Sequence, residues 1–417
     1  MNASLTLFVP GLCAAWRGQG VDVGAELRAA QTPVLLRLLA RADRVDTAAL
    51  VDGLADQLAF EDTLARLFGV SAQALPWGAL GLWGERGERP QDFVLSLDPV
   101  HFKLGMTDAI VFGGASLHLG MDEADTLARA LEQHFSARGW RIEVAAPQRW
   151  YLHLPESSDL VTVPLAQALG RDAGLFKPQG RDAPRWLADI TEAQMVLFAH
   201  PLNQAREARG LPVINSVWPW GAGDLSANEY VPTGQGEAGD APMNLLPSPL
   251  TGEGLGERVE AFATERPTQP LPPPLPNPPP RGGREFSSSR WTMLFANHPL
   301  ARGLAYAQNL PVHDLAETLA ETSARCADLS GNASEHALIV LDDLVQPRLD
   351  GDFEDWQATL EGLEARWFAP LWTALAQGRV RELTLDTGAA RFVCKPAQRW
   401  RVWRRERSLE QQCAASV

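Results

Sequence analysis

The chain has 417 residues, 45% of them hydrophobic, and is therefore long enough to bury at least one large core. Its 51 acidic side chains outnumber its 37 lysines and arginines, and the net charge of −14 repels nucleic acid and anionic lipid. No apolar run reaches the roughly 18 residues of a membrane span, and the apolar N-terminal stretch has no basic region before it. We therefore expect a cytoplasmic protein that binds neither nucleic acid nor membranes.

Two residue types, cysteine and tryptophan, give information about possible metal, disulfide or binding sites. The cysteines form no Cys-x-x-Cys pair, which argues against a disulfide framework or a zinc ribbon, so we expect reduced and mostly buried thiols. They are Cys13, Cys326, Cys394 and Cys413. There are 14 tryptophans but only 3 tyrosines, and several tryptophans lie among arginines or glycines, which is a first indication of a binding site.

The chain opens with the pattern of a strand followed by helices. Residues 5–9 are a short apolar run, and Leu and Ala then recur at spacings of three and four in 33–42 and 60–68. A different pattern begins at residue 92, where strand segments surround one amphipathic helix. The predicted strands are 92–104, 108–114 and two within 140–154, and the predicted helix is 121–139. These segments predict a small α+β subdomain inserted in an α/β core.

Beyond the subdomain the core pattern resumes. The strand from residue 211 leads into a glycine-rich turn at 221–223. The predicted elements are a helix at 186–208, a strand at 211–218, strands at 290–296 and 336–344, a long helix at 352–377 and a hairpin turned at Thr387-Gly388.

The composition changes abruptly between residues 233 and 289, where Gly, Pro, Glu and Ser dominate. Nine prolines lie in 267–280 alone, which favours polyproline II and forbids a helix. Because it has few large apolar side chains, the segment cannot form a core. We predict that it is a disordered, proline-rich insertion in a loop.

The most distinctive segment is 200–224, HPLNQAREARGLPVINSVWPWGAGD. Backbone amides of a Gly-x-Gly turn can cradle an anion, flanking tryptophans can shield it from water, and an arginine can supply a bidentate fork. The candidate ligand-binding residues are Asn203, Arg206, Asn215, Trp218, Trp220, Gly221 and Gly223. The alternative is a structural turn, in which the glycines supply positive φ and the tryptophans pack the core.

A second candidate is 391–405, RFVCKPAQRWRVWRR, in which Arg391, Lys395 and Arg399 are followed by more arginines and two tryptophans. If the segment is extended, alternate side chains form one basic and aromatic face suited to an anionic ligand. The alternative is an edge strand with solvated cations and tryptophans covered by arginine stems.

Other polar residues give weaker indications. His200 and His298 each precede a proline and are interpreted as helix-end or turn residues. Asp342 and Asp343 follow an apolar run and so lie at the carboxyl end of a buried strand, where α/β proteins place binding residues. The sequence has no serine nucleophile elbow, Walker loop, Rossmann fingerprint or HExxH helix.

Four segments resemble the RpfE-type family of regulatory proteins, which is named after a bacterial gene cluster that regulates pathogenicity factors. They are DPVHF (98–102), RWYLHL (149–154), HPLNQAREARGLPVINSVWPWGAG (200–223) and LTLDTGAARFVCKPAQRWRVWRR (383–405). The resemblance implies a regulatory role and specifies no reaction.

The 200–224 block is also similar to a block of archaeal-type cofactor-independent phosphoglycerate mutases. This resemblance implies an alkaline phosphatase-like fold and two divalent metals held by Asp and His. The chain departs from that pattern, because its first strand ends in Val9-Pro10-Gly11 instead of Asp-Gly and no Asp-x-x-Gly-His cluster follows. We therefore expect no cofactor and no metal, with Asp342 and Asp343 as ligands only under a catalytic alternative.

The sequence thus predicts an alkaline phosphatase-like mixed sheet flanked by helices. The predicted domains are 1–91 (core), 92–155 (α+β subdomain), 156–232 (core with the Trp/Gly block), 233–289 (insertion) and 290–417 (core). The expected function is regulatory and non-catalytic, through binding of a small anionic ligand or a protein partner. The alternative is a metal-dependent phosphomutase or phosphatase.

Overall fold

The computed structural model describes residues 3–13, 31–46, 60–72, 75–225, 291–319, 321 and 336–413. The chain divides into two units, Met1–Val231 with Ser288–Val417, and Pro232–Ser287. The second unit, like the whole predicted insertion 233–289, lies outside the described residues.

The described residues form twelve strands and twelve α-helices. The strands are β1 (Ala3–Phe8), β2 (Asp43–Asp46), β3 (Phe93–Leu104), β4 (Ala109–Phe112), β5 (Arg141–Ala146), β6 (Arg149–Leu154), β7 (Ser216–Gly223), β8 (Met293–Phe295), β9 (Val312–His313), β10 (His336–Val340), β11 (Val380–Asp386) and β12 (Ala390–Cys394). The helices are α1 (Pro33–Arg41), α2 (Phe60–Leu67), α3 (Trp77–Arg86), α4 (Met121–His134), α5 (Leu165–Ala168), α6 (Ala183–Ala199), α7 (Pro201–Ala208), α8 (Pro299–Ala307), α9 (Val345–Asp350), α10 (Phe353–Leu363), α11 (Ala369–Ala376) and α12 (Leu409–Cys413).

A mixed sheet of seven strands forms the larger layer, in the order β2-β12-β11-β1-β10-β8-β9. Five neighbouring strands, β11, β1, β10, β8 and β9, are parallel to one another. At one edge, β12 pairs antiparallel with β11, and β2 pairs antiparallel with β12. Alternate side chains of β1 point to opposite faces, so Leu5 and Leu7 join one core cluster and Phe8 the other. The sheet is therefore covered by apolar packing on both faces, as the fold class predicts.

A smaller antiparallel sheet has the order β4-β3-β6-β5, and β7 pairs with β3. On one face, Leu95 and Leu97 of β3 pack in a cluster that includes Leu127 of α4 and Trp186 of α6. Val94 and Val100, on the other face, share a cluster with Phe8 of β1. That second face of β3 therefore looks toward the large sheet.

Helices α3 and α8 pack closely in the cluster between the two sheets. A Cβ added at Gly84 would overlap the Pro299 carbonyl, and one added at Gly303 would overlap the Leu80 carbonyl. Only glycine permits the two helix backbones to approach this closely.

The structure confirms the mixed sheet flanked by helices and corrects several local predictions. The single helix predicted at 186–208 is two helices, α6 and α7, separated at His200. The glycine-rich turn predicted at 221–223 is the end of β7. The basic segment is extended only as far as Cys394 and then forms a 3₁₀ turn, Pro396–Trp400. The proline at 396 stops the strand because it cannot donate to the ladder.

Two further properties concern the described part of the chain. None of its helices is long and apolar enough to cross a membrane. Cys13 is disulfide-bonded, so the expectation of reduced thiols is wrong for this residue, whereas Cys394 is a free, buried thiol.

Candidate functional site

Arg206, the predicted anion fork, lies in α7 with its side chain fully buried. Its guanidinium donates hydrogen bonds to three backbone carbonyl oxygens, those of Leu117, His118 and Pro212. It also pairs with Glu123, whose other oxygen accepts a hydrogen bond of 2.6 Å from the more exposed Arg209. Arg206 therefore ties the loop before α4 to α7.

The two predicted asparagine ligands are engaged with backbone. The Asn203 amide donates to the carbonyls of Leu197 at 2.8 Å and Ile214 at 2.7 Å, and its oxygen accepts from the Ile214 N–H. The Asn215 side chain accepts from the Phe102 N–H at 2.7 Å and donates to the Phe102 carbonyl at 2.9 Å. Both side chains hold the segment before β7 in place.

Gly221 and Gly223 let β7 lie against the start of α3. Gly221 has φ +65°, and a Cβ there would lie 2.7 Å from the Trp77 Cβ, while one at Gly223 would lie 2.6 Å from the Pro76 Cβ. The indole of Trp218 donates to the Val163 carbonyl at 2.9 Å. In this part of the 200–224 block, the geometry agrees with the structural alternative, in which the glycines supply positive φ and the tryptophans pack the core.

Trp220 is the tryptophan of the block that donates to a carboxyl group. Its Nε1–H donates to Oδ2 of Asp98 at 2.6 Å, and both side chains are buried. Asp98 belongs to β3, on the face that looks toward the large sheet. The indole therefore marks a site that the sequence did not single out.

Five residues form what we call the inter-sheet cluster: Glu61 of α2, Asp98 of β3, Arg149 of β6, His298 before α8 and Asp342 after β10. The Arg149 guanidinium acts electrostatically on Asp98, His298 and Asp342. Asp98 in turn acts electrostatically on Glu61. The Oε2 atom of Glu61 is buried and has no hydrogen-bond partner among the described residues. These groups come from five separate elements, and Arg149 itself is exposed and donates a hydrogen bond of 2.7 Å to Glu85.

Burial determines how the cluster titrates. It raises the pKa of Glu61 from 4.5 to about 7 and that of Asp98 from 3.8 to about 7, and the Trp220 hydrogen bond only partly offsets the effect on Asp98. Burial also raises the pKa of Asp342 and lowers that of His298 to about 3, which leaves the imidazole neutral. The two carboxyl groups can therefore take up or release protons near neutral pH.

A two-metal centre of the kind that the fold implies does not fit these residues. The described ranges contain no group of three or more His, Cys, Asp or Glu side chains placed to hold a metal ion. At the carboxyl end of β11, Asp386 is fully buried and accepts hydrogen bonds from Arg66 at 3.0 Å and Arg391 at 3.2 Å. The Asp386 carboxylate is thus bound by two guanidinium groups and would otherwise be available to a metal cation.

A cationic cavity of about 700 Å³, which we call the arginine pocket, lies between α1, β12 and the C-terminal segment. Its lining includes Arg44, Trp403, Arg404, Arg405, Arg407 and Gln411. Glu406 is the acidic residue among those lining it. The pocket is therefore a positive site on an acidic protein.

The three cations predicted in the basic segment lie outside this lining. Arg391 pairs with Asp386, and Lys395 pairs with Glu382 at 3.2 Å. Arg399 donates to the Ala376 carbonyl and covers the ring of Trp400 at 4.8 Å. The structure thus places the free cations at the end of this segment and beyond it, at Arg405 and Arg407.

Comparison with known proteins gives one sequence relative. A stretch of 117 residues is 31% identical to 2,3-bisphosphoglycerate-independent phosphoglycerate mutase of Methanothrix thermoacetophila and covers 28% of this chain. It spans 29% of that protein, less than a third of its length. No protein-family model matches.

Solved structures extend the likeness to the fold. The PH0037 protein from Pyrococcus horikoshii superposes with a TM-score of 0.50 at 13% identity, over 94% of this chain and 87% of that one. Over the matched 117 residues, the chain is a distant homologue of a cofactor-independent phosphoglycerate mutase. The predicted resemblance to these mutases and the alkaline phosphatase-like fold class are thereby confirmed. The mutase from Thermoplasma acidophilum gives a TM-score of 0.40 at 14% identity, over 94% of this chain and 89% of that one.

Sequence reasoning missed Glu61, Asp98 and Arg149. Asp98 and Arg149 lie in segments that carry the family resemblance, and an Asp inside the apolar run of β3 is itself a signal, because a buried carboxyl needs a partner. Glu61 gives no such signal, since an acidic residue in the first turn of a helix is ordinary.

Proposed function

We propose that this protein is a non-catalytic relative of the phosphoglycerate mutases with a regulatory role, which binds a small anionic ligand in the arginine pocket. The observation that carries the proposal is the pocket itself, where four arginines face one glutamate in a chain of net charge −14. A positive cavity on an acidic surface attracts small anions and binds them through guanidinium hydrogen bonds.

Two of the pocket arginines are available to a ligand. Arg405 and Arg407 are exposed and have no carboxylate partner within the described ranges. Arg404 already donates to the Ala42 carbonyl at 2.8 Å, and Arg44 donates to the Gln412 carbonyl at 2.6 Å. The first pair supplies free cations, whereas the second pair fixes the pocket wall.

The absence of a fitting metal group in the described ranges supports the non-catalytic part of the proposal. Phosphoryl transfer in this fold depends on metals to neutralise the transferred group. The resemblance to RpfE-type regulators supports the regulatory part. The metal-dependent phosphomutase or phosphatase alternative is not better supported than this proposal, and a protein partner stays a prediction.

Isothermal titration calorimetry of the full chain with pyrophosphate and 3-phosphoglycerate tests the proposal. We expect binding that weakens with added salt, and at least about tenfold weaker binding in the Arg405→Ala/Arg407→Ala double variant. Arg129→Ala, at an exposed position on α4, is the matched control and should bind like the wild type. Absence of binding, or equal binding by the double variant, would overturn the arginine pocket as the site.

The same preparation tests the non-catalytic part. We expect no stoichiometric Mn, Zn or Mg by elemental analysis, and no conversion of 3-phosphoglycerate when Mn²⁺ is added. Metal-dependent turnover would instead establish the enzymatic alternative.

A further inference from the structure

We infer that the anionic ligand of the arginine pocket is a mononucleotide, with its base stacked on Trp403 and its phosphate on Arg405 and Arg407. This inference rests on the proposed function. It adds an aromatic base to the anionic group that the proposed function gives the ligand.

In the part of the chain that the structure describes, exposed indoles are confined to one place. Among the tryptophans that the structure describes, Trp400 and Trp403 alone are exposed, at 66% and 73%. Both lie in the segment that ends in the pocket arginines, and Trp403 lines the pocket itself. A large apolar ring left in water beside a cationic pocket is suited to stack a ligand.

The two exposed tryptophans differ in what covers them. The Arg399 guanidinium lies over the Trp400 ring, with a distance of 4.8 Å to the centroid. In the described part of the chain, no ring or cation covers Trp403. Trp403 therefore offers a free aromatic face, and Trp400 serves as its natural comparison.

The size and lining of the pocket suit a ligand larger than a phosphorylated three-carbon acid. Its volume of about 700 Å³ falls in the range of roughly 300 to 1,000 Å³ that takes ligands with rings. Gln411 adds an exposed side-chain amide to the lining, and an amide offers both a donor and an acceptor to the edge of a base.

The overall charge favours a mononucleotide over a nucleic acid strand. A net charge of −14 repels a long phosphate backbone. A single nucleotide keeps its phosphate beside the arginines and its base on the indole. The chemistry of the site thus combines one anion with one aromatic ring.

Calorimetry and tryptophan fluorescence with AMP, GMP, pyrophosphate and a single-stranded oligonucleotide test the inference. We expect AMP or GMP to bind at least about fivefold more tightly than pyrophosphate, because stacking on an aromatic side chain adds affinity. Trp403→Leu should remove this advantage while the affinity for pyrophosphate stays unchanged. Trp403→Phe should keep part of it, and Trp400→Leu should bind like the wild type.

The outcomes separate the inference from the proposed function. If pyrophosphate binds as tightly as AMP and GMP, or if Trp403→Leu keeps the nucleotide preference, the inference is overturned and the anion site stands. If none of the probes binds, both are overturned. Tighter binding of the oligonucleotide than of either mononucleotide would overturn the inference in favour of a nucleic acid strand.

Discussion

The indole of Trp220 donates a 2.6 Å hydrogen bond to the buried carboxyl group of Asp98, 122 residues away in the chain. The bond does not compensate for the burial of the carboxylate, because the pKa of Asp98 still rises to about 7. The folded protein therefore binds a proton on Asp98 more tightly than the unfolded chain does. Stability depends on pH as a result.

Asp98→Asn should remove the part of this dependence that comes from Asp98, while Glu61, whose pKa is also raised to about 7, keeps its own part. The substitution should keep the indole hydrogen bond, because the Asn oxygen can accept it. Between pH 3.8 and about pH 7 the folded state holds more protons on Asp98 than the unfolded state, so the free energy of unfolding falls as the pH rises. Above pH 7 the variant should be the more stable protein, by at most roughly 4 kcal/mol. Urea denaturation across this pH range measures the difference.

Asp108→Asn is the control for this experiment, since Asp108 is an exposed aspartate in the loop between β3 and β4. It should show the wild-type slope of stability against pH. The same slope in Asp98→Asn as in Asp108→Asn would mean that Asp98 is ionised without penalty in the folded protein.

Arg206→Met tests whether Arg206 stabilises the fold or is available to bind a ligand. Its removal leaves three carbonyl oxygens, of which that of Leu117 is buried, without this donor and Glu123 without its buried partner. We expect the free energy of unfolding to fall by about 3 to 5 kcal/mol, measured by chemical denaturation without ligand. Arg209→Met removes the exposed arginine from the same glutamate and should cost less than about 1 kcal/mol. Equal, small effects of both variants would restore Arg206 as a residue available to an anion.

Local pattern was enough to predict most elements but not the sites. The helix predicted at 60–68 is observed at Phe60–Leu67, because apolar spacing of three and four is a local property. The direction of the Arg206 guanidinium is not local, since it depends on the loop at Leu117 and His118 in another part of the chain. The Asp98 environment likewise exists only once β3 pairs with β7.

Gly84→Ala tests the close contact of α3 with α8. The added methyl group would overlap the Pro299 carbonyl oxygen, so the helices must separate, and we expect a loss of about 1 to 3 kcal/mol or more. Gly362→Ala, in α10, is the matched control, because its Cβ would lie 3.6 Å from the nearest atom, on the flexible side chain of Arg366. That variant should be as stable as the wild type or gain up to about 1 kcal/mol from helix propensity. Thermal unfolding of both variants measures the contrast, and a neutral Gly84→Ala would show that the helices have room to move apart.

Asp386→Asn tests whether Asp386, at the carboxyl end of β11, binds the two arginines instead of a metal ion. The substitution leaves the guanidinium groups of Arg66 and Arg391 facing a neutral, buried amide, so we expect a loss of about 3 to 5 kcal/mol. Asp343→Asn, at an exposed position after β10, should change stability by less than about 0.5 kcal/mol.

The decisive measurement is the melting temperature of wild type, Asp386→Asn and Asp343→Asn in EDTA and in Mn²⁺. Because a ligand that binds only the folded state raises the melting temperature, a metal site would appear as a Mn²⁺-dependent rise. We expect no such rise in any of the three proteins, since Asp386 stabilises the fold through two cations that the chain itself supplies. A rise in the wild type that Asp343→Asn abolishes would instead place a metal at the end of β10. It would support the metal-dependent enzymatic alternative.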